Sequence, residues 1–116
     1  MHICFITSEF PTEGLNGGGI GSFVKFLGKK LVKKNIDVSV VGFYNVNSEQ
    51  LEKVNGIDVY RLSKSTWKFA KFYNNKERLL KKINEIKSIN KIDIVEGSEL
   101  SFAFFPKKTS YKKIIR

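Results

Sequence analysis

A run of three glycines, Gly17 to Gly19, constrains this chain most, because it joins a buried strand to an amphipathic helix. Before it, His2 to Thr7 (HICFIT) is an almost continuous apolar run, typical of a strand covered on both faces. After it, apolar side chains at helical spacing predict a helix from about Gly19 to Lys34. A helix N-terminus carries unpaired N–H groups and partial positive charge, and glycine lets an anion approach closely.

This order of elements predicts a site for a phosphate-bearing ligand around Gly17, Gly18, Gly19, Ile20 and Gly21. The alternative is that the glycines only make a tight connection. Two well-known phosphate loops do not fit. The dinucleotide fingerprint needs a third glycine where Ser22 or Val24 stands. A Walker loop needs Ser or Thr after its lysine, but Gly28-Lys29 is followed by Lys30 inside the helical pattern.

The alternation of apolar runs with helical patterns predicts an α/β fold, a doubly wound parallel sheet. The predicted strands lie near residues 2–7, 36–43, 57–62 and 92–96, with a second helix over 76–89. Residues 44–55 are predicted to be a polar connection with one helical turn around 48–53. A helix can begin within 99–105, and 111–116 is typical of a strand that has barely started. The first helix is expected to bury Ile20, Phe23, Val24, Leu27 and Leu31.

Composition limits the class of protein and its chemistry. With 116 residues, 41% hydrophobic, the chain is long enough for one packed core. Cys4 is the only cysteine, so no internal disulfide forms, and a reducing, cytoplasmic location is favoured. No apolar run reaches the roughly 20 residues needed to span a bilayer, and no signal peptide is visible. His2 is the sole histidine, which disfavours metal ligation and histidine-activated nucleophiles.

The net charge of +10 arises from 21 Lys and Arg against 11 Asp and Glu, and the excess is uneven. Between Arg61 and Lys82 the only acid is Glu77, and after Glu99 there is none. Such a balance indicates polyanionic partners: nucleic acid, anionic lipid or phosphorylated substrates. For the lysines that end the first helix, the helix dipole is a simpler explanation than a binding role, because cations complement the negative end of a helix.

An aromatic and basic segment follows the third predicted strand and includes Lys64, Trp67, Lys68 and Lys71. Such a segment can anchor at a membrane surface, contact a lipid-linked acceptor or stack on nucleic acid. It can equally be a connection that buries its aromatic side chains in the core. We expect it to be partly exposed near a cleft, with its lysines outward.

Four segments in order, ICFITSEFP, GGGIGSFVKFLGKKLVKKNIDVSVVGF, GIDVYRL and IDIVEGSE, resemble the N-terminal domain of retaining GT-B glycosyltransferases of family 4. The resemblance runs from Met1 to about Glu99. It implies a Rossmann-like domain in which residues 1–116 form the acceptor-side half, incomplete at its C-terminus. The second, nucleotide-binding domain is then absent. By this interpretation the chain is a fragment that is inactive alone.

The resemblance also implies a site. Gly18 and Gly19 would lie against the diphosphate and sugar of a nucleotide-sugar donor, with no metal and no cofactor. Glu96, Ser98 and Glu99 would face a sugar or lipid-linked acceptor, although a carboxylate at a strand end can also cap the following helix. The catalytic residues of the family belong mainly to the C-terminal domain, so none is identified here. Nucleic acid is not an expected partner, and peripheral contact with an anionic membrane at the inner surface stays open.

Two other hypotheses remain. A small basic module that binds nucleic acid or anionic membrane would explain the charge and the aromatic segment, but not the glycine run. A stand-alone relic of a truncated gene, with a structural or regulatory role, is not distinguished from the transferase fragment by sequence.

Overall fold

The computed structural model describes residues 1–11, 18–64, 71–103 and 105–116, with the backbone alone described for 71–73. In these ranges six strands form one sheet with two long helices. The elements are β1 (His2–Ile6), α1 (Gly19–Lys33), β2 (Asp37–Tyr44), β3 (Gln50–Val54), β4 (Ile57–Ser63), α2 (Lys71–Ile89), β5 (Ile94–Gly97), a short 3-10 turn (Leu100–Phe102) and β6 (Lys112–Ile115).

The strands are ordered β3-β4-β2-β1-β5-β6, and every neighbouring pair is parallel except β3 with β4. The chain moves outward from β1 through α1 to β2, and α2 later carries it back across the sheet to β5. The strand order therefore reverses between β1 and β5. The predicted α/β class with a mostly parallel sheet is confirmed, and each of the four predicted strands lies within about two residues of its expected bounds.

The prediction for residues 44–55 was wrong. Instead of a helical turn, residues 50–54 form the edge strand β3, which pairs antiparallel with β4. The turn between them is Asn55-Gly56, with φ of 52° and 82°. An Asn-Gly pair with two positive φ values makes the tight hairpin turn that matches the twist of its strands. The Asn-Gly dipeptide was the sequence signal for this hairpin. The strand β3 itself was not recognised because it is exposed along most of its length and has mostly polar residues.

The two helices cover opposite faces of the sheet, and each has its own apolar core. On the α1 face, Val24 packs among side chains of β1, β2 and β4. On the α2 face, Leu79, Ile83 and Ile86 pack against Cys4, Val41 and other residues of the sheet. Cys4 is fully buried, and burial raises the pKa of its thiol to about 12, as an inert structural cysteine requires.

The predicted buried face of α1 was partly wrong. Val24 is buried and Leu27 and Leu31 are partly so, but Ile20 and Phe23 are 42% and 54% exposed. The buried positions of α1 instead include Gly21 and Gly28. A Cβ at Gly28 would lie 2.8 Å from Ile57 Cδ1, so the missing side chain allows close helix–sheet packing. Because glycine has no hydropathy signal, the apolar pattern placed the face too far toward Phe23.

The ends of the other elements follow local rules. Asn35, with φ of 63°, ends α1, and Ile36 N–H donates to Leu31 O at 3.1 Å while Asn35 N–H donates to Val32 O at 3.0 Å. This pair of bonds is the Schellman arrangement. Helix α2 begins five residues before its predicted start. The expected helix within 99–105 is only a 3-10 turn, whereas the strand expected in 111–116 is present as β6.

Candidate functional site

The candidate site lies at the carboxyl ends of β1 and β5, which are neighbours in the sheet. In open α/β sheets, ligands bind at the edge where the strand order reverses, which is here. Gly18 and Gly19 begin α1 beyond the end of β1, and Glu96, Gly97 and Ser98 end β5. Gly17 lies outside the described residues. The fold thus brings the described residues that were predicted for the donor side and for the acceptor side to the same edge of the sheet.

The N-terminus of α1 has the features of an anion site. Gly18 is the N-cap, in extended conformation, and Ser22 N–H donates the first helical bond to its carbonyl at 3.0 Å. Gly18 has no side chain to cap the N–H groups of the first turn, and that turn contains no acidic residue. These N–H groups have no intrahelical acceptor and carry the positive end of the helix dipole.

The three described glycines at this end do different things. A Cβ at Gly19 would meet none of the described atoms within 4 Å. A Cβ at Gly21 would collide with the Glu9 carbonyl oxygen, so Gly21 allows α1 to approach the chain that leaves β1. A Cβ at Gly18 would collide with the Glu9 carboxylate. Of these three glycines, Gly19 is therefore the one whose backbone no described residue crowds.

Glu9 was not predicted as a site residue, yet its carboxylate lies against Gly18 beside the helix start. Its N–H donates to Thr7 Oγ1 at 3.1 Å, which shapes the chain just after β1. A carboxylate at the positive end of a helix is stabilised there and accepts hydrogen bonds, but it repels a phosphate placed on the same spot. The available signal was weak: an acid shortly after the first strand, nine residues before the N-cap Gly18.

Arg61 was also missed, and it bonds to Pro11 in the described start of the connection that follows β1. Its side chain is 3% exposed, with Nη1 3.5 Å from Glu52 Oε1 and Nη2 donating to Pro11 O at 3.4 Å. The guanidinium lies 5.3 Å from the Tyr44 ring centroid. The Arg61 side chain shares a face of β4 with Ile57 and Val59, so strand alternation alone predicts an apolar residue there.

Tyr44 completes this anchor. Its hydroxyl donates to Thr7 O at 2.7 Å and accepts from Phe10 N–H at 3.2 Å. Burial raises the pKa of the Tyr44 phenol, so the hydroxyl stays protonated and keeps its donor at neutral pH. Together Tyr44 and Arg61 bond to Thr7, Phe10 and Pro11, and so hold the described start of the connection against β2 and β4.

Glu96, at the end of β5, is paired with a cation rather than with a helix end. Its Oε1 lies 2.5 Å from Arg116 Nε, and Arg116 Nη2 also donates to Ile6 O. Ser98 stands one residue before the N-cap Glu99 of the 3-10 turn, and its Oγ accepts from Ser101 N–H at 3.2 Å. The ends of β1, β5 and β6 are therefore tied together at the point of reversal.

Burial raises the pKa of the Glu96 carboxyl, and Arg116 only partly offsets this. A carboxyl whose pKa is higher in the folded than in the unfolded state stabilises the fold below the ordinary pKa of glutamate. This stabilisation is lost as the pH rises through the raised pKa. Glu96→Gln removes that loss, so we expect the variant to be more stable than wild type at neutral pH, with the difference shrinking in acid. Urea unfolding across a pH series measures this, with exposed Glu99→Gln as control. A wild-type advantage at neutral pH would mean that the Arg116 pair outweighs burial.

The prediction for the aromatic and basic segment falls mostly on residues 65–70, which lie outside the described residues. Lys64 is exposed, and Lys71 begins α2. Among the described residues, no group of three or more His, Cys, Asp or Glu is arranged to hold a metal ion. His2 is buried, and its ring bonds to Ser39 Oγ at 2.7 Å and donates to Asn90 O at 3.1 Å. No helix in the described ranges is long and apolar enough to cross a membrane.

A scan of the chain against models of known protein families gives no match, and a search of curated proteins gives no similar sequence. The proposal for function therefore depends on the geometry of this edge of the sheet and on the resemblance of the four segments.

Proposed function

We propose that this chain is the N-terminal, acceptor-side domain of a retaining GT-B glycosyltransferase, which moves a sugar from a nucleotide-sugar donor to an acceptor. The observation that carries the proposal is the start of α1, where no described atom lies within 4 Å of a Cβ built on Gly19, at the point of strand reversal. A strand, a glycine-rich connection and a helix N-terminus together suit a diphosphate. The resemblance of the sequence segments selects a nucleotide sugar among diphosphate ligands.

The diphosphate is placed on the Gly19 side of the helix end. Glu9 occupies the Gly18 side with its carboxylate, and two anions would repel there. The same carboxylate accepts hydrogen bonds, so it is suited to hydroxyl groups of the donor sugar. In this arrangement the N–H groups of the first turn stabilise the departing diphosphate, and Glu9 orients the sugar.

The acceptor is placed over the end of β5. Glu99 is exposed there, whereas Glu96 is paired with Arg116 and Ser98 bonds to Ser101 Oγ at 2.8 Å. A sugar or a lipid-linked sugar offers hydroxyl groups that such oxygen atoms bind. A second domain would supply the nucleotide pocket and the cations that hold the diphosphate, so we propose that the chain alone binds donor weakly and does not transfer sugar.

Donor binding is tested by titrating the isotope-labelled full chain with UDP-glucose, GDP-mannose and ADP-glucose, and by following backbone amide shifts. We expect saturable shifts at Gly18, Gly19 and Ile20, with little change at the distant Gly56. Glu9→Gln is expected to bind inorganic pyrophosphate severalfold more tightly, because it removes a nearby negative charge. Amides that respond to duplex DNA and to none of the nucleotide sugars would favour the nucleic-acid alternative.

A further inference from the structure

Helix α1 carries two large aromatic side chains on its outer surface. Phe23 is 54% exposed and Phe26 is 63% exposed, although the helix buries its opposite side against the sheet. Residues three apart on a helix are neighbours, so the two rings form one patch. Exposure of a phenyl ring to water is unfavourable in free energy, and a helix face that only contacts solvent does not need such side chains.

The same face continues into a cluster of cations. Positions 23, 26, 30 and 33 follow the three- and four-residue spacing of one helix face. Lys30, Lys33 and Lys34 are all exposed, and Lys30 Nζ lies 4.4 Å from the centroid of the Phe26 ring. No acidic residue occurs between Gly19 and Ile36. The lysines are therefore not neutralised by acids of their own helix.

The helix dipole explains only part of this pattern. It accounts for Lys30 and Lys33 in the last turn, because cations stabilise a helix C-terminus. It does not account for two exposed rings on the same side, or for the 42% exposure of Ile20 beside them. A face that combines bulky apolar side chains with lysines that no acid of their own helix neutralises is suited to a surface that is both apolar and anionic.

We propose that Phe23, Phe26, Lys30, Lys33 and Lys34, named here the aromatic–lysine face, dock α1 flat on an anionic lipid membrane. The rings would lie at the boundary between headgroups and acyl chains, and the lysines would contact lipid phosphates. The 15-residue helix is about 22 Å long, so it lies along the surface and does not cross it. A nucleic acid would attract the lysines, but a duplex offers no apolar layer for Phe23, Phe26 and Ile20.

This inference is independent of the transferase proposal, since it uses neither Gly18 nor Gly19. It assigns membrane contact to a described helix, in addition to the predicted contact by residues around 64–71. Loss of vesicle binding with normal nucleotide-sugar shifts, or the reverse, would separate the two proposals.

The test is co-sedimentation of the full chain with vesicles of phosphatidylcholine and phosphatidylglycerol, compared with phosphatidylcholine alone. We expect binding only when phosphatidylglycerol is present. The double variant Phe23→Ser/Phe26→Ser is expected to bind about tenfold more weakly, because two rings no longer insert. The variant Lys30→Gln/Lys33→Gln is expected to lose about fivefold for each lysine removed.

Two control variants match these changes elsewhere on the surface. Leu51→Ser/Ile89→Ser removes side chains that are 61% and 80% exposed, and Lys107→Gln/Lys108→Gln removes two exposed lysines. Both controls are expected to bind vesicles within about twofold of wild type, since they lie off α1. Equal losses in the controls, wild-type binding by the phenylalanine variant, or no vesicle binding by wild type would overturn the proposal. Duplex DNA binding that depends on the same five residues would assign the face to nucleic acid instead. Circular dichroism confirms that each variant is folded.

Discussion

Replacing Gly19 with valine is expected to abolish the nucleotide-sugar response of the chain while leaving its fold intact. A Cβ at this position meets no described atom within 4 Å, so the described part of the fold tolerates the side chain. The same side chain would fill the space through which the proposed diphosphate reaches the N–H groups of the first turn. In a complete transferase the loss should be about 100-fold or more in turnover, the scale set by removing one oxyanion donor.

Amide shifts with UDP-glucose and urea unfolding of Gly19→Val measure the two halves of this prediction. Stability should change by less than about 1 kcal/mol, the scale of helix propensity differences. Gly21→Val is the matched control, because its Cβ would collide with the Glu9 carbonyl oxygen. It should lose about 3 kcal/mol or more of stability. Unchanged binding by Gly19→Val, or unfolding as severe as that of Gly21→Val, would make these glycines a turn rather than a donor site.

Removing the Arg61 side chain is expected to destabilise the fold by about 3 kcal/mol in Arg61→Ala. The side chain is 3% exposed and bonds to Pro11 O, lies near Glu52 and stacks on Tyr44. Alanine leaves a cavity under the connection between β1 and α1 and deprives Pro11 O of its donor. The Phe10 amide, which donates to the Tyr44 hydroxyl, should then exchange its hydrogen faster.

Arg61→Met separates packing from charge in this prediction. Methionine is long and apolar, so it refills most of the volume, and buried ion pairs often add little net stability. Glu52 can return to water because its side chain is half exposed. We therefore expect Arg61→Met to lose less than about 1.5 kcal/mol by urea unfolding. Equal losses in the two variants would show that the ionic contacts dominate, and no loss in Arg61→Ala would show that Arg61 does not anchor the connection.

The predictions that held depended on local periodicity. The strands β1 and β2 carry nearly continuous apolar runs and β4 alternates apolar with polar residues, while α1 has both a glycine start and Asn35 at its end. The strand β3 was missed because an exposed edge strand has few apolar residues, and only its pairing with β4 makes it a strand. The Asn55-Gly56 turn was a signal for that hairpin.

In the candidate site, too, some residues could be placed from local sequence patterns and others could not. Gly18, Gly19 and Glu96 were predictable because glycines before a helix and residues after a buried strand are marked in the sequence itself. The roles of Glu9, Arg61 and Arg116 were not predictable, since each depends on a contact with a residue that is not adjacent in the chain.

Hydropathy and backbone freedom act over a few residues, so the order of buried strands and helices and the position of the glycine-rich helix start could be predicted from sequence. Which side of α1 is buried depends on contacts between distant residues. Gly28 packs closely against Ile57 of the sheet and Gly21 against Glu9 after β1, while Phe23 and Phe26 on the other side are exposed. Likewise, only the tertiary structure decided that a buried arginine supports the connection after β1, because that contact joins residues 50 positions apart.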